Sequence, residues 1–132
     1  MVTTNKSEPI LKGLMSIFPI GHDYERKELM ALANEFEIRS VERGFQLWAE
    51  GLDQSKLYFI VSGSCGEYLR HPRGESLIRF YQDGKFAFSE DILLYSAPSE
   101  SRCVALTKSV IASVPKVKLL DNALFDSVAA KL

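Results

Sequence analysis

The spacing of apolar and polar residues changes twice along the chain. Up to residue 36 apolar residues recur every three or four positions, which predicts helices, and after residue 115 this spacing returns. In residues 37–115 apolar and polar residues alternate, and glycine-containing turn signals arrive every eight to twelve residues or so, as in short antiparallel strands. The predicted strands are residues 38–41, 45–49, 57–61, 66–70, 76–81, 101–105 and 110–115.

Two amphipathic helices are predicted within residues 7–36. The first carries an apolar stripe through Ile10, Leu14 and Phe18, and Asp23 can cap the second. Both helices are expected to cover the β-structure that follows them. The apolar face of the second helix consists of Leu29, Leu32, Ala33 and Phe36.

A third helix is predicted over residues 116–132. Its apolar stripe either closes the domain's own core or packs against a second copy of the chain, and we expect a two-fold homodimer through this stripe. The predicted dimer-interface residues are Val117, Leu120, Leu124 and Val128.

Composition narrows the class of protein. A chain of 132 residues with 46% hydrophobic and 25% charged residues has the balance of one globular domain, here expected to span residues 1–132. A net charge of −1 gives no basic surface for nucleic acid, so this segment alone is not expected to bind DNA. No long apolar run predicts a membrane segment, and Cys65 and Cys103 lack metal-site spacing. We therefore expect a reduced, cytoplasmic protein without a membrane partner.

Residues 86–106 carry the most specific pattern in the chain. They read as an aromatic strand end, one helical turn opened by Ser89 with Glu90 and Asp91 in its first positions, a loop closed at Pro98, and a new strand. The first turn of a helix presents free backbone N–H groups, so such a junction can hold a small ligand.

This stretch resembles the phosphate-binding cassette of cyclic nucleotide-binding domains, as found in Crp/Fnr-type transcription regulators. The family's glycine is replaced by Ser89 and its phosphate-pairing arginine by Ser99, whereas six other positions match the family pattern. Residues 45–51 and 57–64 resemble the family's early strands. The positions that match the cassette pattern are Phe88, Glu90, Leu93, Leu94, Pro98 and Ala105.

The resemblance implies a mainly β fold with flanking helices: a jelly roll, or double-stranded β-helix, over residues 37–115 after the helices of residues 7–36. Residues 116–132 would begin a C-terminal dimerisation helix. In the family this helix leads to a helix-turn-helix DNA-binding domain, which is absent from this chain, so we expect a fragment of a longer regulator.

The resemblance also implies a ligand site, though one that does not bind cyclic AMP or cyclic GMP in the usual way. A serine hydroxyl cannot replace the paired arginine, and Arg102, the nearest substitute, is expected on the opposite face of its strand. Arg79 and Lys85 are weaker candidates than Arg102 for supplying the missing positive charge. A neutral or cationic polyol-like ligand, or an empty pocket, is therefore expected. The predicted ligand-binding residues are Phe88, Ser89, Glu90, Asp91, Ser99, Glu100, Ser101 and Arg102.

Three functions remain open. The first is the effector-sensing domain of a Crp/Fnr-type regulator, which would reach DNA only through the missing domain and respond to an unidentified small molecule. The second is a stand-alone cyclic-nucleotide-binding or ligand-free dimerisation module. The third is a cupin-type metalloenzyme, which is disfavoured because His22 and His71 are the only histidines. No catalytic residue, metal or cofactor is expected.

Overall fold

The computed structural model describes residues 7–17, 26–51, 56–89, 95 and 97–120. In this part of the chain two helices precede eight strands and a third helix follows them. The helices are α1 (Glu8–Ile17), α2 (Arg26–Asn34) and α3 (Lys116–Leu120). The strands are β1 (Glu37–Val41), β2 (Gln46–Trp48), β3 (Lys56–Ser62), β4 (Ser64–His71), β5 (Gly74–Gln82), β6 (Phe86–Ala87), β7 (Ser101–Ala105) and β8 (Ser109–Pro115).

The strands form two four-stranded antiparallel sheets that face each other. The first sheet has the order β1-β8-β3-β6 and the second has the order β2-β7-β4-β5. Strands that are distant in sequence therefore lie side by side, as in a jelly roll. The predicted β-roll is confirmed.

The core has two parts, one on each face of the first sheet. On the outer face α1 and α2 pack against β3 and β8, where Leu57 and Phe59 meet the apolar stripe of the helices. On the inner face Tyr58 and Ile60 pack against the second sheet. Residues 57–61 of β3 are all apolar, which matches a strand that is covered on both faces.

Glycines lie at the turns between strands where the sequence predicted turns. The glycines at 44, 51, 63, 74 and 84 all have a positive φ angle, which side chains rarely adopt. Gly63 has a second constraint, because an added Cβ would lie 2.9 Å from the Cα of Ser109. The turn between β3 and β4 thus requires glycine for both its backbone angle and its space.

The helix predictions are confirmed where the structure describes them. Leu29, Leu32 and Ala33 are buried as expected, and Phe36 is buried just after α2 ends. Phe18 and Asp23 lie outside the described residues, as does most of the predicted helical turn after Ser89. No helix among the residues described is long and apolar enough to span a membrane.

Candidate functional site

A cavity of about 150 Å³ lies on the inner face of the second sheet, beside the cassette stretch. Strand β4 contributes Glu67 and Leu69, and β5 contributes Ile78 and Arg79. The cassette side contributes Ser89, Glu100 and Ser101. The volume lies below the roughly 300–1,000 Å³ typical of small-molecule sites, so the space between the described residues suits a small ligand.

A β-bulge explains why two consecutive residues of β5 face this cavity. Glu67 pairs with Arg79 and Tyr68 pairs with Leu77, so Ile78 is an extra residue on β5. Side chains normally alternate between the faces of a strand, and the inserted residue breaks this alternation. As a result Ile78 and Arg79 both line the cavity.

The carboxylate of Glu67 is the centre of a buried polar network. Its side chain is 5% exposed, and its two oxygens accept hydrogen bonds from the hydroxyls of Tyr81 (2.9 Å) and Ser101 (2.7 Å). Arg79 forms an ion pair of 3.5 Å with the same carboxylate. The indole N–H of Trp48 donates to the hydroxyl of Ser101 at 3.1 Å. Each of these contacts stabilises a charge that would otherwise be costly to bury.

The two serines that replace family residues extend this network. Ser89 donates a hydrogen bond of 3.0 Å to the hydroxyl of Ser99, which in turn donates to the carbonyl of Ser101 at 2.9 Å. The backbone N–H of Ser101 donates back to Ser99 at 3.2 Å. Ser99 and Ser101 are 4% and 6% exposed, so the position of the expected arginine is occupied by a buried, hydrogen-bonded hydroxyl.

Arg102 lies on the other face of the sheet and does not reach the cavity. It pairs across the sheet with Tyr68, and its guanidinium lies 4.9 Å from the centre of that ring. Two hydrogen bonds of 2.7 and 2.9 Å join it to Glu75. These hydrogen bonds lower the pKa of Glu75. Strand alternation predicted this orientation, since the neighbouring Ser101 and Cys103 face inward.

The charge around the cavity is acidic. Among the residues described, Glu67 and Glu100 contribute two carboxylates to the lining and Arg79 contributes one guanidinium. Burial, with the charge and hydrogen bond of Glu67, raises the pKa of Tyr81, so its phenol stays neutral and donates. An anion entering here would meet an unfavourable field.

The structure brings together part of the predicted ligand set. Ser89, Ser99, Glu100 and Ser101 lie at or next to the cavity, whereas Phe88 packs against the helix core. Glu90 and Asp91 lie outside the described residues.

Sequence reasoning missed Glu67, Leu69 and Ile78. Glu67 was detectable in principle, because alternation puts it on the same face of β4 as the buried Cys65. The side on which Ile78 and Arg79 lie depends on the bulge, which leaves no local signal.

The two cysteines are free and 0% exposed. Burial raises the pKa of Cys65 to about 11 and also raises the pKa of Cys103, whose environment includes Cys65 and Glu67. Both thiols are therefore protonated at neutral pH, which suits small core residues. No group of three or more potential metal ligands occurs within the described ranges.

The predicted dimer stripe is described only at its beginning. Val117 is 61% exposed in α3, so its side chain is available for an outside contact. The side chain of Leu120 and all of Leu124 and Val128 lie outside the described residues. Lys118 of the same helix lies 3.8 Å from Glu35, which ties the start of α3 to the end of α2.

A known protein family matches the part of the chain that contains both the sheets and the cavity. The sequence model of the family described as the cyclic nucleotide-binding domain matches residues 38–123. That range covers β1 to β8, the cavity and the cassette stretch. A comparison with curated protein sequences finds no match.

Several solved structures share this fold. The regulatory domain of Toxoplasma gondii PKA with cAMP superposes with a TM-score of 0.81 at 18% identity, over 98% of this chain and 49% of that one. The Thermus thermophilus catabolite activator protein superposes with a TM-score of 0.70 at 20% identity, over 83% of this chain and 51% of that one. The sensor domain of the Pseudomonas aeruginosa transcriptional regulator DNR superposes with a TM-score of 0.70 at 17% identity, over 94% of this chain and 85% of that one. This chain thus spans about half the length of the first two structures.

Proposed function

Because the chain belongs to the cyclic nucleotide-binding domain family, we propose that it is the effector-sensing domain of a Crp/Fnr-type transcription regulator whose effector is not a cyclic nucleotide. The effector is a neutral or cationic molecule that carries hydroxyl or amine groups. One observation carries this proposal: Ser99 stands where the phosphate-pairing arginine is expected, and its hydroxyl is already bonded to Ser89 and Ser101.

The charges of the site support an uncharged or positive ligand. The carboxylate of Glu67 accepts hydrogen bonds and attracts cations, and Glu100 adds a second negative charge to the lining. Arg79 is already paired with Glu67, so part of its positive charge is offset before a phosphate could use it. A ligand amine or hydroxyl can instead take the place of the Ser101 donor.

The regulatory output is proposed to follow the family. Effector binding would shift the helix that begins at α3, and a homodimer through Val117, Leu120, Leu124 and Val128 would transmit the shift to DNA-binding domains outside this chain. The exposed Val117 supports an intermolecular role for this helix. This assignment makes the chain a non-catalytic, cytoplasmic regulatory domain that binds DNA only through the additional domain.

The experiment that tests the ligand class uses Trp48, the only tryptophan, as a reporter. Its indole bonds to Ser101 at the cavity wall, so a ligand that displaces Ser101 should change its fluorescence. We propose titrations with cyclic AMP, cyclic GMP and the neutral nucleoside adenosine, each confirmed by calorimetry. No saturable binding of the cyclic nucleotides below millimolar concentration is expected. Saturable micromolar binding of cyclic AMP or cyclic GMP would refute the proposal.

A pair of variants tests the electrostatic reasoning. Ser99→Arg alone should not create cyclic nucleotide binding, because Glu67 would pair with the new guanidinium. Ser99→Arg combined with Glu67→Gln removes that competitor and should bind cyclic AMP more tightly than either single variant. Equal binding by Ser99→Arg with and without the second change would show that Glu67 is not the obstacle.

A ligand-free dimerisation module is the second candidate, and one observation favours it. Both carboxylate oxygens of Glu67 and the hydroxyls of Ser99 and Ser101 are satisfied by protein groups. If this candidate is correct, Glu67→Gln should leave transcription by the longer regulator unchanged. Under the sensor proposal the same change abolishes the effector response.

Analytical ultracentrifugation tests the dimer. Val117→Glu, placed on the exposed side of α3, should weaken self-association, and Lys116→Glu is the control on the same helix. A chain that is monomeric at high concentration, and remains so in the longer regulator, would remove the dimer from the proposal.

A further inference from the structure

A second cavity, of about 280 Å³, lies on the inner face of the first sheet near its β1 edge. It shares no lining residue with the cavity around Glu67. Toward one end of this face, Val41, Ile60 and Ile111 belong to the buried core. Toward the other end the side chains become polar, and the two sheets leave a space between them.

The lining of this cavity is cationic. Arg39 of β1 and Lys56 at the start of β3 both face it, and none of its lining residues that the structure describes is acidic. No ion pair joins either cation to a carboxylate within the ranges that the structure describes. Arg39 and Lys56 line the same cavity, so their positive charges repel each other, and an anion bound between them would relieve this repulsion.

Two of the remaining lining residues can donate hydrogen bonds, and a third provides an aromatic wall. Gln46 and Ser113 supply an amide and a hydroxyl. Arg39 lies 4.9 Å from the centre of the Phe45 ring, which holds the guanidinium plane at the cavity wall. The hydroxyl of Tyr58 donates to the carbonyl of Leu47, so it does not compete for the cations.

Tyr58 is also prevented from becoming an anion. Burial raises its pKa to about 12, although the charge of the nearby Arg39 acts in the opposite direction. The phenol is therefore neutral at physiological pH, and the cavity has no internal negative charge from this residue. Among the lining residues that the structure describes, no carboxylate balances Arg39 and Lys56, so an anionic ligand would do so.

We propose that this cavity is a second ligand site, which binds a small molecule with a phosphate group. The dianionic phosphate lies between Arg39 and Lys56, with the hydroxyl of Ser113 as a further donor, and a flat organic part packs on Phe45. Planar guanidinium and point-like ammonium groups both bind phosphate oxygens well. The volume is close to the lower limit for small-molecule sites, which fits a phosphomonoester rather than a polymer. This site is independent of the effector proposed for the other cavity.

Nuclear magnetic resonance titration of the full 132-residue chain tests the site, with phenyl phosphate and inorganic phosphate as probes. Saturable shifts are expected in the backbone signals of Gln46 and Ser113 and in the side chain of Arg39. Phenyl phosphate should bind more tightly than inorganic phosphate, because only the ester has a ring to pack on Phe45. Shifts confined to residues outside the cavity, or none that saturate, would overturn the proposal.

Charge variants provide a matched comparison. Arg39→Gln and Lys56→Gln should each weaken phenyl phosphate binding about tenfold. Glu37 lies directly opposite Ser113 in the β1–β8 pairing, so Glu37→Gln should tighten binding. Lys108→Gln removes one exposed positive charge at the other end of that pairing and should have no effect.

Two results would contradict the assignment. An equal loss in Lys108→Gln and Lys56→Gln would show that only net charge matters. Unchanged affinity in Arg39→Gln and Lys56→Gln, with both variants folded by circular dichroism, would exclude the cavity as the phosphate site. Because Arg39 also packs on Phe45, Lys56→Gln decides the question if Arg39→Gln fails to fold.

Discussion

Replacing Ser101 by alanine should destabilise the domain more than any exposed serine replacement. The change removes the hydroxyl that donates 2.7 Å to Glu67 and accepts 3.1 Å from the indole of Trp48. A hydrogen bond to a charged group contributes roughly 1.5–3 kcal/mol, and leaving a buried donor without a partner costs about 1–3 kcal/mol. The expected loss is about 3–5 kcal/mol. That is a large share of the roughly 5–15 kcal/mol by which domains are stable.

Urea unfolding at neutral pH, followed by circular dichroism, measures this loss as a shift of the midpoint. Ser76→Ala is the matched control, because that hydroxyl also makes a side-chain hydrogen bond, 2.9 Å from His71, but on an exposed hairpin. The control should change the free energy of unfolding by no more than about 0.5 kcal/mol. Ser101→Ala should lower the free energy of unfolding by clearly more than this control does.

A second measurement isolates the indole contribution. In a Trp48→Phe background no indole N–H is left without a partner, so Ser101→Ala should cost about 1–3 kcal/mol less than in the natural sequence. An equal cost in the two backgrounds would refute the role of the Trp48 hydrogen bond. A loss below about 1 kcal/mol for Ser101→Ala itself would refute the whole reasoning about the network.

Three other predictions concern the core. Gly13→Ala should destabilise the domain by about 1–3 kcal/mol, because the new Cβ would lie 2.5 Å from the buried ring of Phe59. The loss is expected although alanine favours helices more than glycine does. A higher urea midpoint in this variant would contradict the prediction. Stability should fall as pH rises from about 9 through 12, because the folded pKa values of Cys65 and Tyr58 are raised to about 11 and about 12 and their contributions are lost as these groups ionise. Tyr58→Phe should make the loss of stability above about pH 10 less steep. Urea midpoints of the natural sequence that stay constant up to pH 11 would contradict the predicted loss. Cys65 and Cys103 should react with a thiol reagent only after unfolding, and rapid labelling of the native chain would be inconsistent with their burial.

The fold was largely predictable because its signals are local. Alternation identified the strands, and glycine at positions such as Gly63 marked turns whose backbone needs a positive φ. Arg102 could be placed on the outer face from strand alternation alone. These features depend on a residue and its immediate neighbours, so no knowledge of the packing was needed.

The candidate sites were less predictable because their residues come from distant strands. Glu67 and Arg79 meet through the pairing of β4 with β5, and the bulge at Ile78 sets which side chains face the cavity. Likewise Arg39 of β1 and Lys56 of β3 line one cavity because both strands pair with β8 in the same sheet. Neither arrangement has a sequence motif, since the geometry arises when the sheets form.

The position of β8 between β1 and β3 has a consequence for synthesis of the chain. Among the described strands, β1 pairs only with β8, which follows about 70 residues later. At about 5–20 residues per second, β1 waits on the order of 3–14 s on the ribosome without its hydrogen-bonding partner. Unpaired strands are prone to aggregate, and charged side chains reduce that tendency. We therefore expect the charged side chains of Glu37 and Arg39 to limit aggregation of the nascent chain during this interval.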